Sequence, residues 1–332
     1  MQKKKLTRFY ADFITLIAPF YHFVYKAFCK VQRGCLPRRI VLLISRPQDV
    51  DLLLGLYGKA QSDRNLSPTF WLVNKCVRRF PNVLTELREK NANIEMVVSI
   101  NQLLKILNKL MRTDIFLSTV ESTAARHKLP YIITRLANAT GLLTYTIQHG
   151  FGNSGLTYCN KIRGPNVKFC AKTVLTWGPT EELPAWVSSD TRDKAIAVGC
   201  PKTPFVTENA SSVKAGARPI IGVFENLHWD RYDEAYVALF LNHLEETARQ
   251  RREFRFVLKS HPASVSKRSK ELRIRLSSME NVDVADLLGS EESALTTPWL
   301  LTHALGVITT PSTIALDCAL ANTPAAVTKI WT

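Results

Sequence analysis

The sequence predicts an α/β protein made of two Rossmann-like, doubly wound parallel-sheet domains, with a basic amphipathic helix in front of them. Three observations predict it. From residue 36 onward, short apolar runs without polar alternation take turns with longer stretches of helical spacing, the mark of parallel strands covered on both faces. A small, polar stretch at 205–218 divides this series in two. The length of 332 residues also exceeds what one hydrophobic core usually organises.

Residues 1–35 stand apart. Phe9, Tyr10, Phe13, Ile14, Ile17, Phe20, Tyr21, Val24 and Phe28 recur at three- and four-residue spacing, which predicts an amphipathic helix. Pro19 and His22 interrupt the apolar run, and no small-residue cleavage site follows, so it does not read as a signal peptide. It is also short of the roughly 20 apolar residues that spanning a bilayer takes. Residues 1–40 set nine lysines and arginines against Asp12 alone, which is half of the chain's net charge of +16. Basic side chains with aromatic rings at the boundary suit a helix lying on an anionic membrane surface, peripheral to the inner membrane on its cytoplasmic side. The alternative is a helix packed on the protein itself.

The N-terminal domain, 36–204, then reads as strands at 39–45, 69–73, 94–98, 115–119, 143–148, 174–178 and 195–199. Helices are expected near 48–61, 81–91 and 101–111. After the linker 205–218, the C-terminal domain, 219–332, repeats the pattern. Its strands fall at 220–224, 254–259, 282–284, 306–309 and 325–328, and its helices near 232–250, 265–277 and 296–304. The hydrophobic share of 46% against 22% charged residues fits folded domains rather than a disordered chain. Seven cysteines without a C-x-x-C pair suggest neither a zinc site nor a disulfide framework, and reduced thiols in a cytoplasmic protein are expected.

Chemistry concentrates where strands end, because ligands of open α/β sheets bind outside the carboxyl ends of the strands. Lys259-Ser260-His261-Pro262 closes one apolar run and Thr309-Thr310-Pro311-Ser312-Thr313 closes another. A lysine, a histidine and hydroxyls in such places suit a phosphate-bearing ligand. Thr310, Ser312 and Thr313 can equally cap the helix that follows. Gln148-His149-Gly150, with Gly152 and Gly155 after it, follows the strand at 143–147. His149 at a strand's end is a candidate general base, or else a structural hydrogen-bonding residue. Glu225, ending the first strand of the second domain, is a further candidate for a ribose or an acceptor hydroxyl, while Asp49, Asp51 and Glu121 are weaker acid–base candidates. There is no G-x-G-x-x-G, no Walker-type loop and no metal-ligand spacing, so neither a metal nor a tightly bound cofactor is expected. The positive charge permits nucleic acid, but it gathers at the N-terminus without a binding motif, so nucleic acid is not expected as a partner.

Two such domains joined by a linker form the architecture of GT-B glycosyltransferases. Gln148-His149-Gly150, Lys259-Ser260-His261-Pro262 and Thr310-Pro311-Ser312-Thr313, in that order and spacing over roughly 110–330, resemble bacterial GT-B transferases of surface polysaccharide synthesis. That group includes capsule Kdo transferases, sialyl- and polysialyltransferases, and CDP-glycerol glycerophosphotransferases. The resemblance implies a transferase moving a sugar of the Kdo or sialic acid type from a CMP- or CDP-linked donor to a polysaccharide or lipid-linked glycan. It places His149, with the loop residues Gln148, Gly150 and Gly152, at the acceptor side. Lys259, Ser260, His261, Pro262, Thr310, Ser312 and Thr313 hold the donor nucleotide on the same reading. Gln148 stands where the glycerophosphotransferases carry Trp, and Phe151-Gly152-Asn153 replaces their Thr-Pro-Leu-Lys-like run, which favours the capsule-type relatives. The group's usual C-terminal helices would follow the strand at 325–328, so the second domain reads as shortened. A nucleotide- or glycan-binding GT-B protein without catalysis is the reading from a different class.

Overall fold

The computed structural model describes residues 37–97, 103–119, 121–123, 127–150, 167–202, 218–225, 234–260, 267–285, 295–310 and 312–328, together with Pro19. The basic aromatic segment 1–35, Pro19 apart, and the linker 205–218, Arg218 apart, lie outside the described residues. The chain divides into two compact units, Met1–Thr203 and Pro204–Thr332.

The first unit is a seven-stranded, wholly parallel sheet ordered β3-β2-β1-β4-β5-β6-β7. Its strands are β1 (Arg38–Ile44), β2 (Leu66–Val73), β3 (Ile94–Val97), β4 (Ile115–Ser118), β5 (Leu143–Ile147), β6 (Thr173–Thr176) and β7 (Ala195–Ala197). Helices α1 (Gln48–Ser62), α2 (Asn74–Arg79), α3 (Asn82–Glu89), α4 (Leu103–Leu110), α5 (Lys128–Ala139) and α6 (Ser189–Asp193) alternate with them. The apolar run Val41–Ile44 is buried, as a central parallel strand must be. Helix α1 follows from its sequence: Asp49 and Asp51 sit in the first turn and Lys59 in the last, matching the helix dipole. Val50, Leu53, Tyr57 and Ala60 give it a buried stripe. Tyr57 stacks on Phe70 with ring centroids 4.5 Å apart, and Trp71 meets Phe116 edge-on at 6.1 Å.

The second unit is a five-stranded parallel sheet ordered β10-β9-β8-β11-β12. It comprises β8 (Ile220–Glu225), β9 (Arg255–Ser260), β10 (Val282–Val284), β11 (Gly306–Thr309) and β12 (Ala325–Val327), with α7 (Glu234–Gln250), α8 (Lys267–Ser277), α9 (Thr297–His303) and α10 (Ile314–Leu320). Alternate residues of β8 feed two different cores. Val223 packs with Phe256, Leu258, Phe240, Leu244 and Leu276, while Phe224 packs with Val257, Val307, Leu300 and Leu301. Both faces of the central strands β8, β9 and β11 are therefore apolar, and their polar side chains lie at the strand ends.

Each sheet reverses its strand order once, at β1/β4 in the first and β8/β11 in the second. Those two reversals are where an open α/β sheet offers a crevice at the carboxyl ends of its strands. The expected strands are present. Strand β2 starts three residues earlier than its apolar core, at Leu66, and takes in Pro68. Pairing with β3 begins only at Phe70, so Pro68 has β1 alone beside it and its missing N–H deprives no second neighbour. Helices α2 and α6 and a 3-10 turn at Thr180–Glu182 are additions that the sequence periodicity does not signal. Among the described residues no helix is long and apolar enough to cross a membrane.

Candidate functional site

At the first reversal a buried carboxylate ties two strand ends together. Asp49, in the first turn of α1, is wholly buried. Its Oδ2 accepts the backbone N–H groups of Ser45 (2.7 Å) and Arg46 (2.8 Å) and the Ser45 hydroxyl (3.1 Å), and its Oδ1 accepts the Thr119 hydroxyl (2.5 Å). Burial pushes the Asp49 carboxyl above its usual range, and the Thr119 hydroxyl, the Ser45 and Arg46 N–H groups and the Arg46 charge oppose that. The result is a rigid turn after β1 that carries half-buried Arg46 at the sheet's carboxyl edge.

The strand next to β4 on its other side is β5, and Gln148, His149 and Gly150 follow it directly. Gln148 acts as a clip. Its Oε1 accepts Trp177 N (2.8 Å), its Nε2 donates to Gly150 O (2.9 Å), and its own N–H donates to Leu175 O (2.8 Å). Both ends of the amide are thus engaged with backbone, so the side chain fixes the turn on either side of His149. Burial first, then the charges of Arg46 and His127, hold the His149 pKa down to about 3. The ring is therefore neutral at any working pH, a hydrogen-bonding group rather than a charge. His127 in turn is set by Ser122, whose hydroxyl pairs with His127 Nδ1 at 2.7 Å, both residues buried.

In the second unit the strand ends carry the other candidates. Glu225 ends β8 at 4% exposure and forms an ion pair with Arg273 of α8, itself 5% exposed. Lys259, one residue before the end of β9, donates from Nζ to Leu295 O (2.8 Å) just ahead of α9. Ser260 ends β9, paired in register with Glu225; its side chain, together with His261, Pro262 and Gly152, lies outside the described residues. Thr310 is wholly buried, and its N–H donates to Phe224 O (3.2 Å), tying the end of β11 to β8. Ser312 Oγ lies 3.2 Å from Thr309 Oγ1 and accepts Ile314 N (3.3 Å). Of the three hydroxyls expected to cap the helix, Ser312 supplies that bond, while Thr313 offers its carbonyl to Leu316 N and Asp317 N (both 3.0 Å).

The structure thus brings Glu225, Lys259, Ser260, Thr310, Ser312 and Thr313 to one edge of one sheet, and Gln148, His149 and Gly150 to the corresponding edge of the other. Sequence reasoning missed three residues. Arg46 carried a usable signal, a charge immediately after an apolar strand and three residues ahead of Asp49. His127 and Arg273 carried none: Arg273 lies among Arg275, Lys267 and Lys270 in a helix that reads as solvated. Among the described residues no group of three or more His, Cys, Asp or Glu side chains is arranged to hold a metal ion.

No family model matches the chain, and no curated protein is similar to it in sequence. Solved structures are similar in fold. S. aureus MnaA, in a co-structure with UDP, is 11% identical with a TM-score of 0.62 over 87% of this chain and 78% of that one. The Anabaena protein HepE in complex with UDP and glucose is 12% identical, with a TM-score of 0.56 over 87% of this chain and 80% of that one. UDP-GlcNAc 2-epimerase from Methanocaldococcus jannaschii is 12% identical, with a TM-score of 0.54 over 87% and 83%. The fold is accordingly GT-B, two Rossmann-like domains with parallel sheets of seven and five strands.

Proposed function

We propose that the protein is a GT-B enzyme acting on a nucleotide-activated sugar. The observation that carries this reading is the concentration of polar side chains at the carboxyl edge of each sheet, at and beside its reversal. The second unit would hold the nucleotide. Its phosphates would lie against the hydroxyls of Ser260, Ser312 and Thr313, with His261 as a donor and Lys259 adding positive charge, while buried Thr310 would hold the turn in place. Stabilising the departing phosphate there would supply much of the rate. The first unit would handle the reacting sugar and acceptor, with His149 as a neutral imidazole next to Arg46. An anionic substrate beside His149 would raise its pKa toward the range of a working base.

Solved structures of the same fold hold UDP, which favours a uridine nucleotide; the motif resemblance to capsule-type transferases favours a cytidine one, with Kdo or sialic acid as the sugar. Both are pyrimidine nucleotides, and the base is open to direct test. The basic aromatic residues 1–35 would bring the enzyme to an anionic membrane surface where a lipid-linked acceptor lies. A second reading, sugar epimerisation rather than transfer, is favoured by the fold likeness to UDP-GlcNAc 2-epimerases.

A thermal-shift series with UMP, UDP, CMP, CDP and GDP tests the proposal. A pyrimidine nucleotide at a hundred times its Kd is expected to stabilise the protein by about 2.7 kcal/mol, with GDP well below it. No shift with any of the four pyrimidine nucleotides would remove the nucleotide-sugar reading. Incubating the protein with UDP-GlcNAc alone then separates the two chemistries, since an epimerase needs no acceptor.

A further inference from the structure

Glu121 lies in the turn after β4 and is wholly buried. Its Oε1 accepts two backbone N–H groups, those of Cys170 and Ala171, both at 2.7 Å. Its Oε2 is equally sealed from water and has no hydrogen-bond partner among the described residues. The same two stretches of chain are stitched again nearby: Thr123 N donates to Lys168 O and Lys168 N donates to Thr123 Oγ1, both at 3.0 Å. Cys170 is held from its other side too, its carbonyl accepting Asn138 Nδ2 of α5 (2.5 Å).

A carboxylate with one oxygen sealed and unpartnered is costly in its charged form, because no donor returns the desolvation of that oxygen. The neutral acid keeps both N–H bonds at Oε1 and avoids that penalty. The groups facing it do not neutralise it. Lys194 is engaged with Phe169 O (2.7 Å) and Asp190 Oδ2 (3.0 Å). Helix α5 presents Tyr131 and Arg135 to this region, and the segment before β6 presents Cys170, whose thiol burial pushes up to about 11 and so keeps uncharged. His127, at the start of α5, is occupied at Nδ1 by Ser122.

We infer that Glu121 is a proton-dependent latch, uncharged when it ties the turn after β4 to the segment leading into β6, and loosened when it ionises. Burial pushes its carboxyl up to about 7, against the opposing pull of the Ala171 and Cys170 N–H groups and of Lys194. The turn it holds also carries Thr119, which donates to Asp49, and Ser122, which sets His127. Ionisation of Glu121 would therefore be felt at His127, whose charge in turn bears on His149. This inference stands without any ligand and does not depend on the function proposed above.

The sign follows from linkage. With a folded pKa above the unfolded value, the folded state binds more protons between the two, so stability declines as pH rises through that window and levels off above about 7. The test is urea denaturation of the full chain from pH 5 to 8.5, wild type beside Glu121→Gln. The amide keeps an acceptor for both N–H groups and cannot ionise. Over that range the folded-to-unfolded ratio of the wild type should fall roughly a hundredfold relative to the variant. Parallel profiles would overturn the latch. Should the variant fail to fold, wild-type protein carbon-labelled at the glutamate carboxyls decides instead. One resonance titrating near pH 7 is expected, and all of them titrating below pH 6 would overturn the proposal.

Discussion

Replacing Arg273 by methionine is expected to destabilise the C-terminal unit by about 3–5 kcal/mol, because it leaves the Glu225 carboxylate buried without its counter-charge. The pair is 5% and 4% exposed, so water cannot substitute for the lost guanidinium. Glu225→Leu should be costly for the mirror reason, stranding the Arg273 charge. The double variant Glu225→Leu/Arg273→Met should recover most of the loss, since removing both charges also removes both desolvation penalties. Urea denaturation of the four proteins forms a complete cycle, and simple addition of the two single losses would refute a buried pair. The same cycle bears on catalysis. Glu225 stands at the end of β8, where a carboxylate could meet a ribose or an acceptor, yet Arg273 already engages it. A double variant that folds and still turns over would assign Glu225 to holding the strand end; a folded but inactive one would return it to the reacting centre.

The second large effect is expected at His149. A His149→Ala variant should lose roughly 10²–10⁴-fold in turnover, the usual worth of a positioned acid–base side chain. Its thermal shift with the preferred nucleotide should match the wild type, since the nucleotide residues proposed here lie on the other sheet. Unchanged turnover would remove His149 from the chemistry. The pH dependence of stability supplies an independent check. The folded pKa, about 3, lies below the ordinary histidine value of 6.5, so the unfolded chain binds more protons between them. Stability due to this group is fully present above pH 6.5 and is lost as pH falls toward 3. His149→Ala should therefore be less sensitive to acid than the wild type.

The fold was legible because parallel strands covered on both faces read as uninterrupted apolar runs: Val41 to Ile44, Phe256 to Leu258 and Gly306 to Thr309 each announce themselves. The strand-end residues were legible for the same reason, since a polar group directly after such a run has one place to go. Pairings across the sheet were not. Nothing in the chain links Asp49 to Thr119, seventy positions on, or Glu225 to Arg273; those contacts follow from strand order, which local periodicity does not encode. The depressed basicity of His149 was hidden likewise, because it arises from burial and from Arg46 and His127, both distant in sequence. The short helices α2 and α6 escaped notice because six and five residues are too few to establish a helical period.

The proposed pyrimidine nucleotide would sit at the strand ends of the second sheet. Amide hydrogen exchange with and without a saturating nucleotide tests it most directly. Slowed exchange is expected at Glu225, Ser260, Thr309, Thr310, Ser312 and Thr313, with the amino ends of β8 and β11 unchanged. Protection confined to the first unit, or none at a concentration that saturates the thermal shift, would contradict it.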